Sequence, residues 1–377
     1  MVINFSSESL MKARKTIKAK VLELRKGKEE LLKREYENFQ RYLRGDKSAP
    51  LYSATRQQAD RLLRRLGERF NPNKEYPVIL RKDVYRADTK LTPYWLKIPI
   101  YGVKGGINVP IKTHELITDE IVCREAKIIR KGDEWLVYIT VEKEVSERNP
   151  KSVLAIDLGI RWVATTVNSN NPKPKFYGKE LRRVKGHYFW LRRTLALKKA
   201  YKAIKKIGHK ERRVVNYILH KISKAIVKEA LANDSLIIIG DLKGIRRNGR
   251  GRAFNRKLNN GFPYHRLSQF IEYKARWHGM KVVRVSERNT SKTCHKCGHK
   301  GLRVGSLFKC LDYGHSCNAD YNGAMNILKR AMGYMPMVGA ALTQPRTRYG
   351  EGLSPEEPRI PWLQPWECQS RTIPEPI

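Results

Sequence analysis

Two short uncharged runs constrain this chain most. Val153-Leu-Ala-Ile156 ends at Asp157, and Leu236-Ile-Ile-Ile239-Gly240 ends at Asp241. Runs this apolar and this short read as strands of a buried sheet with helices packed against it. An acid at the end of such a strand is costly unless ions or hydrogen-bond donors meet it. A third acid lies in Asn318-Ala-Asp320-Tyr-Asn-Gly-Ala324, at the start of a helix continued by Met325-Asn-Ile-Leu328. Carboxylates at strand ends and on a helix, drawn together from distant parts of the chain, suit metal-dependent phosphodiester cleavage, in which acidic oxygens hold one or two Mg²⁺ ions about 4 Å apart. Taken singly, Asp157 reads more readily as a turn or cap residue, and Asp320 as a first-turn acid answering the helix dipole.

Charge points the same way. Lys and Arg number 77 against 36 Asp and Glu, a net of +41, which calls for a polyanionic partner. A ribosomal-type protein or a binder of anionic membranes would share that balance. No run of about 18 apolar residues and no signal-peptide pattern occurs, so no membrane partner is expected. The six cysteines, Cys123, Cys294, Cys297, Cys310, Cys317 and Cys368, are too few and too clustered for a disulfide framework. They suggest a metal site and a cytoplasmic, nucleoid-associated location. No glycine-rich phosphate loop follows a strand, which argues against a nucleotide-driven motor.

The expected fold class is multidomain α+β. Residues 1–75 read as a basic helical region: Leu10, Ile17, Leu24 and Leu31 recur every seven positions, predicting one amphipathic helix from Ser7 to Leu43, capped by Ser6 or Ser7 and stopped at Gly45. A second helix, Ala54 to Arg69, carries Arg56, Arg61, Arg64 and Arg65 on its polar face, either solvated or facing a phosphate backbone. Residues 76–150 switch to period two, at Tyr94–Ile98, Ile107–Val109, Ile121–Ile129 and Trp135–Val141, and predict a small antiparallel β domain. Residues 151–290 hold strands first and crossover helices later, which matches an RNase H-like sheet. Residues 318–335 supply its last helix. The tail 336–377 holds eight of the 18 prolines and reads as disordered.

Between these parts, residues 291–317 form a zinc-ribbon-like insert. Cys294-His-Lys-Cys297 turns two thiolates toward one Zn²⁺, and Cys310 follows after twelve residues. The second pair is incomplete: Tyr313 occupies the position expected for a cysteine, leaving either Cys317 or His315 as fourth ligand or a ribbon that has lost its zinc.

Asp157-Leu-Gly-Ile160, Asp241-Leu-Lys-Gly-Ile245, Arg288-Asn-Thr-Ser-Lys-Thr-Cys-His-Lys-Cys-Gly298 and Asp320-Tyr-Asn-Gly-Ala-Met-Asn-Ile327 occur in that order. Together they resemble the TnpB/OrfB family, transposon-encoded relatives of type V CRISPR effectors. The resemblance implies an RNA-guided DNA endonuclease with a guide RNA and a DNA target as partners. It further implies a RuvC-like nuclease domain, a wedge-like β domain around Tyr94-Trp-Leu-Lys-Ile-Pro99, and a basic helical part holding the guide heteroduplex. Asp157 and Asp320 would be two of three metal-holding carboxylates. Where the family has the third, a Glu before Asp-Leu-Lys, this chain has Gly240, and where it has a zinc cysteine, this chain has Tyr313. The short segment Met1–Phe5 also leaves little room for the family's first wedge strand. Asp241 neighbours the missing Glu and is the candidate to replace it as a catalytic acid, although strand alternation points it to the other face from Asp157 unless the strand has already turned. The expectation is therefore a nuclease impaired at position 240, in which Gly240→Glu restores cutting. A nuclease-deficient RNA-guided repressor and a transposase are the alternatives.

Overall fold

The computed structural model describes residues 10–242, 263–312 and 314–332. The segment Met1–Phe5, the cap Ser6 or Ser7, Tyr313 and the proline-rich tail lie outside these residues.

The helix expected from Ser7 to Leu43 is replaced by a strand and a shorter helix, so 1–75 is not wholly helical. Leu10–Val21 is β1, and only Lys26–Leu43 is helical, α1. The heptad misleads because alternation is the stronger pattern in this stretch. Ala13, Ile17, Ala19 and Val21 are buried, Lys12, Arg14, Lys18 and Lys20 face out, and Leu10, which the helix would have covered, is 65% exposed. Burying an Ile or Val is worth about 1.5–3 kcal/mol, enough over such a stripe to outweigh helix propensity.

β1 pairs antiparallel with β7 (Glu134–Ser146) from Leu10↔Ser146 to Lys20↔Leu136, and with β5 (Val103–Thr113) on its other edge. Leu10–Val21 thus supplies the β domain with an early strand. With β2 (Val78–Leu80), β3 (Arg86–Asp88), β4 (Tyr94–Ile100) and β6 (Val122–Lys131) the sheet runs β2-β6-β7-β1-β5-β4-β3. α1 and α2 (Ser53–Leu66) pack on it through Leu32, Tyr36, Phe39, Ala59 and Leu62.

The second sheet has five strands, β8 (Ser152–Asp157), β9 (Ala164–Asn168), β10 (Lys175–Tyr177), β11 (Ser235–Asp241) and β12 (Val282–Ser286), in the order β10-β9-β8-β11-β12. The β10–β9 and β9–β8 pairs are antiparallel, and β8–β11 and β11–β12 are parallel. Two long helices, α3 (Lys179–Leu197) and α4 (Tyr201–Ala232), link β10 to β11. The hairpin they form is solvated: Trp190, Leu197, Tyr201 and Tyr217 are exposed.

Each face of this sheet is covered. Leu154, Ile156, Ile237 and Ile239 pack with α4 and α5 (Tyr264–Trp277). Val153, Ala155, Leu236, Ile238 and Val285 pack with Ala324, Ile327, Leu328 and Ala331 of α6 (Ala319–Met332). Between β12 and α6 lies a three-stranded antiparallel unit, β13 (Gly301–Val304), β14 (Leu307–Cys310) and β15 (Ser316–Asn318). No helix among the described residues is long and apolar enough to cross a membrane.

Candidate acid cluster and metal centre

Strand alternation decides which acids meet. Val153 and Ala155 face α6, so Asp157 does too; Leu236 and Ile238 share that face, so position 240 does as well. Ile239 pairs with Ile156, which sets Gly240 level with Asp157 on the adjacent strand. Asp320 arrives from above on the first turn of α6, where Asn318 Oδ1 accepts from the Asp320 and Tyr321 amides at 2.9 and 3.2 Å and caps the helix.

Two glycines make room for this approach. A Cβ on Gly323, one turn beyond Asp320, would stand 3.0 Å from Asp157 Oδ2, and one on Gly159 would stand 3.6 Å from Asp320 Oδ1. Burial, then the charge of Asp320, push the Asp157 carboxyl well above the usual carboxylate range, while Arg303 pulls it back. Asp320 itself is 1% exposed. Its Oδ1 accepts from Arg303 Nη2 of β13 at 2.7 Å. Its Oδ2 is buried with no hydrogen-bond partner among the described residues, as is Thr165 Oγ1, on the residue paired directly with Asp157. Orphaned oxygens at this depth call for a ligand that the side chains do not supply.

Asp241 ends β11 opposite Ser286 and lies close enough to Glu287 to raise its pKa. Glu287 is the acid that the sequence motifs do not flag. It stands one residue beyond β12 and continues the Val283, Val285 alternation onto the α6 face. Burial first, then the charges of Asp157 and Asp241, push its carboxyl up, and Arg330 opposes them. The motif that resembles the family begins at Arg288, one residue too late to include it. The detectable signal is the period-two pattern running from Val283 through Val285 to position 287.

Cys294, Cys297, Cys310 and Cys317 gather beside this cluster. Cys294, Cys297 and Cys310 have ligand atoms within 4.8 Å of one another, with Cys297 and Cys310 sulfurs 3.4 Å apart and no disulfide. Three thiolates at this spacing suit a soft or borderline cation. Cys317 and His315, the two expected candidates for the fourth ligand, group instead with His295. Cys297 also approaches His299 and Asp312. The knuckle is bolted to α6 by two asparagines one turn apart: Asn322 Oδ1 accepts from the His295 amide at 2.9 Å, and Asn322 and Asn326 Nδ2 donate to Thr293 O at 2.7 and 2.8 Å.

The chain is similar in sequence and in fold to known proteins. The family profile described as "Cas12f1-like, TNB domain" matches residues 264–327. A TnpB-like protein of Methanocaldococcus jannaschii is 29% identical over 54% of this chain and 77% of its own length. A CRISPR-associated endodeoxyribonuclease Cas12f1 of Sulfoacidibacillus thermotolerans is 28% identical over 83% of this chain and 78% of its own. The solved Cas12f1-sgRNA-target DNA complex contains a chain similar in fold, with a TM-score of 0.53 at 15% identity and 80% coverage of each chain.

Proposed function

We propose that this member of the TnpB/OrfB family is an RNA-guided DNA endonuclease of mobile-element origin, cutting through a divalent-metal centre on its five-stranded sheet. The observation that carries this reading is the meeting of Asp157 and Asp320 on one face, with a buried oxygen of Asp320 left without a partner. The strand order β10-β9-β8-β11-β12, antiparallel then parallel, supports an RNase H-like, RuvC-type reading of residues 151–290 and 318–335. The sheet around β4 and β5 is read as the wedge, and residues 291–317 as a zinc ribbon.

The donor set fits Mg²⁺, a hard cation that takes carboxylate oxygens. Asp157 and Asp320 would hold it, and when bound it would activate water and stabilise the leaving oxygen of the displaced nucleotide. Cys294, Cys297 and Cys310 are read as ligands of a structural Zn²⁺. Asp157 and Asp320 are preorganised by β8 and by the capped first turn of α6. The exposed cations of α2, Arg56, Arg61, Arg64 and Arg65, would neutralise phosphates of the guide or its heteroduplex. Trp190 and Tyr217, exposed on the basic α3–α4 hairpin, offer stacking faces.

The test is reconstitution. Chain purified with the RNA that accompanies it is sequenced for its guide, reprogrammed, and offered a matching plasmid with Mg²⁺. RNA-dependent DNA binding, and cutting abolished by Asp157→Asn, are expected. Binding that ignores the guide sequence contradicts the reading.

A further inference from the structure

Gly240 leaves β11 without an acid at the level of Asp157, yet the space is filled. A Cβ built on Gly240 would lie 1.7 Å from Glu287 Oε1 and 2.4 Å from its Cδ and Cγ. No side chain at 240 can coexist with Glu287 as it stands. The carboxyl group therefore enters, from the neighbouring parallel strand, the volume that a side chain on residue 240 would begin to fill. Its Oε1 is buried with no hydrogen-bond partner among the described residues, the same condition as Asp320 Oδ2.

The backbone beneath Glu287 is held firmly. Arg330 of α6 donates from Nη1 to the Ser286 carbonyl and from Nη2 to the Arg288 carbonyl at 2.6 Å, so both flanking residues are tied to the helix that carries Asp320. The Glu287 carbonyl accepts from the Thr290 amide at 3.2 Å and from its hydroxyl at 2.9 Å. A surface glutamate would have rotamer freedom to lose on binding an ion. This one has been placed in advance.

We infer that Glu287 is the third metal-holding carboxylate of this chain, entering from β12 over Gly240 in place of an acid on β11. The inference rests on the metal-centre reading above and deepens it: the small residue at 240 is the complement of Glu287 rather than a gap. Among the described residues, no three of these carboxylates close to within 4.8 Å of one another. Two ions about 4 Å apart need acids spread around them rather than gathered at one point. The unaltered chain should therefore cut, contrary to the expectation from Gly240 alone.

The test is Mn²⁺ binding to the RNA-loaded full chain by titration calorimetry, with cleavage read in parallel. Glu287→Gln is isosteric and removes only the charge, so it should fold. It is expected to weaken Mn²⁺ binding by roughly 10-fold or more, since lesser outer-shell changes already cost 10–100-fold. It should lower the cleavage rate by several orders of magnitude. Adding Gly240→Glu to Glu287→Gln should restore binding, because the amide can swing aside and a carboxylate returns to the same space. Glu287→Asp, one methylene shorter, should bind with intermediate affinity. Wild-type affinity in Glu287→Gln, while Asp157→Asn loses the ion, overturns the assignment and leaves the endonuclease reading intact. No rescue by Gly240→Glu in a folded double variant also overturns it. Loss of guide-dependent DNA binding in the unaltered chain would instead count against the broader reading.

Discussion

Arg303 of β13 reaches across to α6 and donates to Asp320 Oδ1 at 2.7 Å, so the three-stranded unit that carries Cys310 and Cys317 is tied to the acid cluster by an ion pair. The guanidinium is 37% exposed and the carboxylate 2%. Losing one partner of a fully buried pair costs about 3–5 kcal/mol; with Arg303 partly in water, roughly 2 kcal/mol is expected. Arg303→Met should lower Tm in EDTA and tighten Mn²⁺ binding, because Asp320 no longer has to share its charge. An unchanged Tm would show that the pair does not hold the unit in place, and weaker binding would show that Arg303 does not compete with the ion for Asp320.

The ion-free cluster should make the protein less stable as pH rises. Unfolded, the Asp157 and Glu287 carboxyls ionise near pH 4. Folded, both keep their protons to higher pH, chiefly through burial and mutual charge. Above pH 4 the unfolded state therefore binds fewer protons, and stability falls with pH until the folded groups ionise as well. In EDTA, Glu287→Gln should match the wild type near pH 4 and gain on it toward pH 8. A Tm difference that stays constant or runs the other way contradicts the shift.

Cysteine substitutions should divide into two classes. Cys294→Ser and Cys310→Ser remove members of the three-thiolate group and should abolish stoichiometric zinc measured by mass spectrometry. Cys317→Ser should retain it, because Cys317 groups with His295 and His315 instead. Equal zinc loss in all three variants would mean that Cys317 completes the tetrahedron.

Nucleic-acid binding should be steeply salt-dependent. Replacing Arg61, Arg64 and Arg65 by Ala should lower the slope of log K against log salt by up to about 1 for each phosphate that is no longer neutralised, without changing guide preference. A slope that does not move assigns that face to solvent.

Much of the sheet that bears the site was legible in the sequence, because buried parallel strands leave nearly uninterrupted apolar runs. Strands β8 and β11 lie within a residue or so of where their composition put them. The amino terminus was not legible in the same way. Leu10, Ile17, Leu24 and Leu31 fit a heptad, and only pairing with β5 and β7, far along the chain, decides that alternation prevails. Glu287 was hidden for a related reason: a motif read along one strand cannot reveal that a side chain from the next strand fills the same space. Gly240 seen alone looks like a deletion. Gly240 beside Glu287 looks like an exchange.

The most direct measurement is anomalous diffraction from crystals of the chain loaded with Mn²⁺. The account predicts density for the ion between Asp157 and Asp320 on the α6 face of the sheet, with Glu287 turned toward it. An empty cluster at saturating Mn²⁺, or an ion bound elsewhere while Asp320 remains paired only with Arg303, would contradict it.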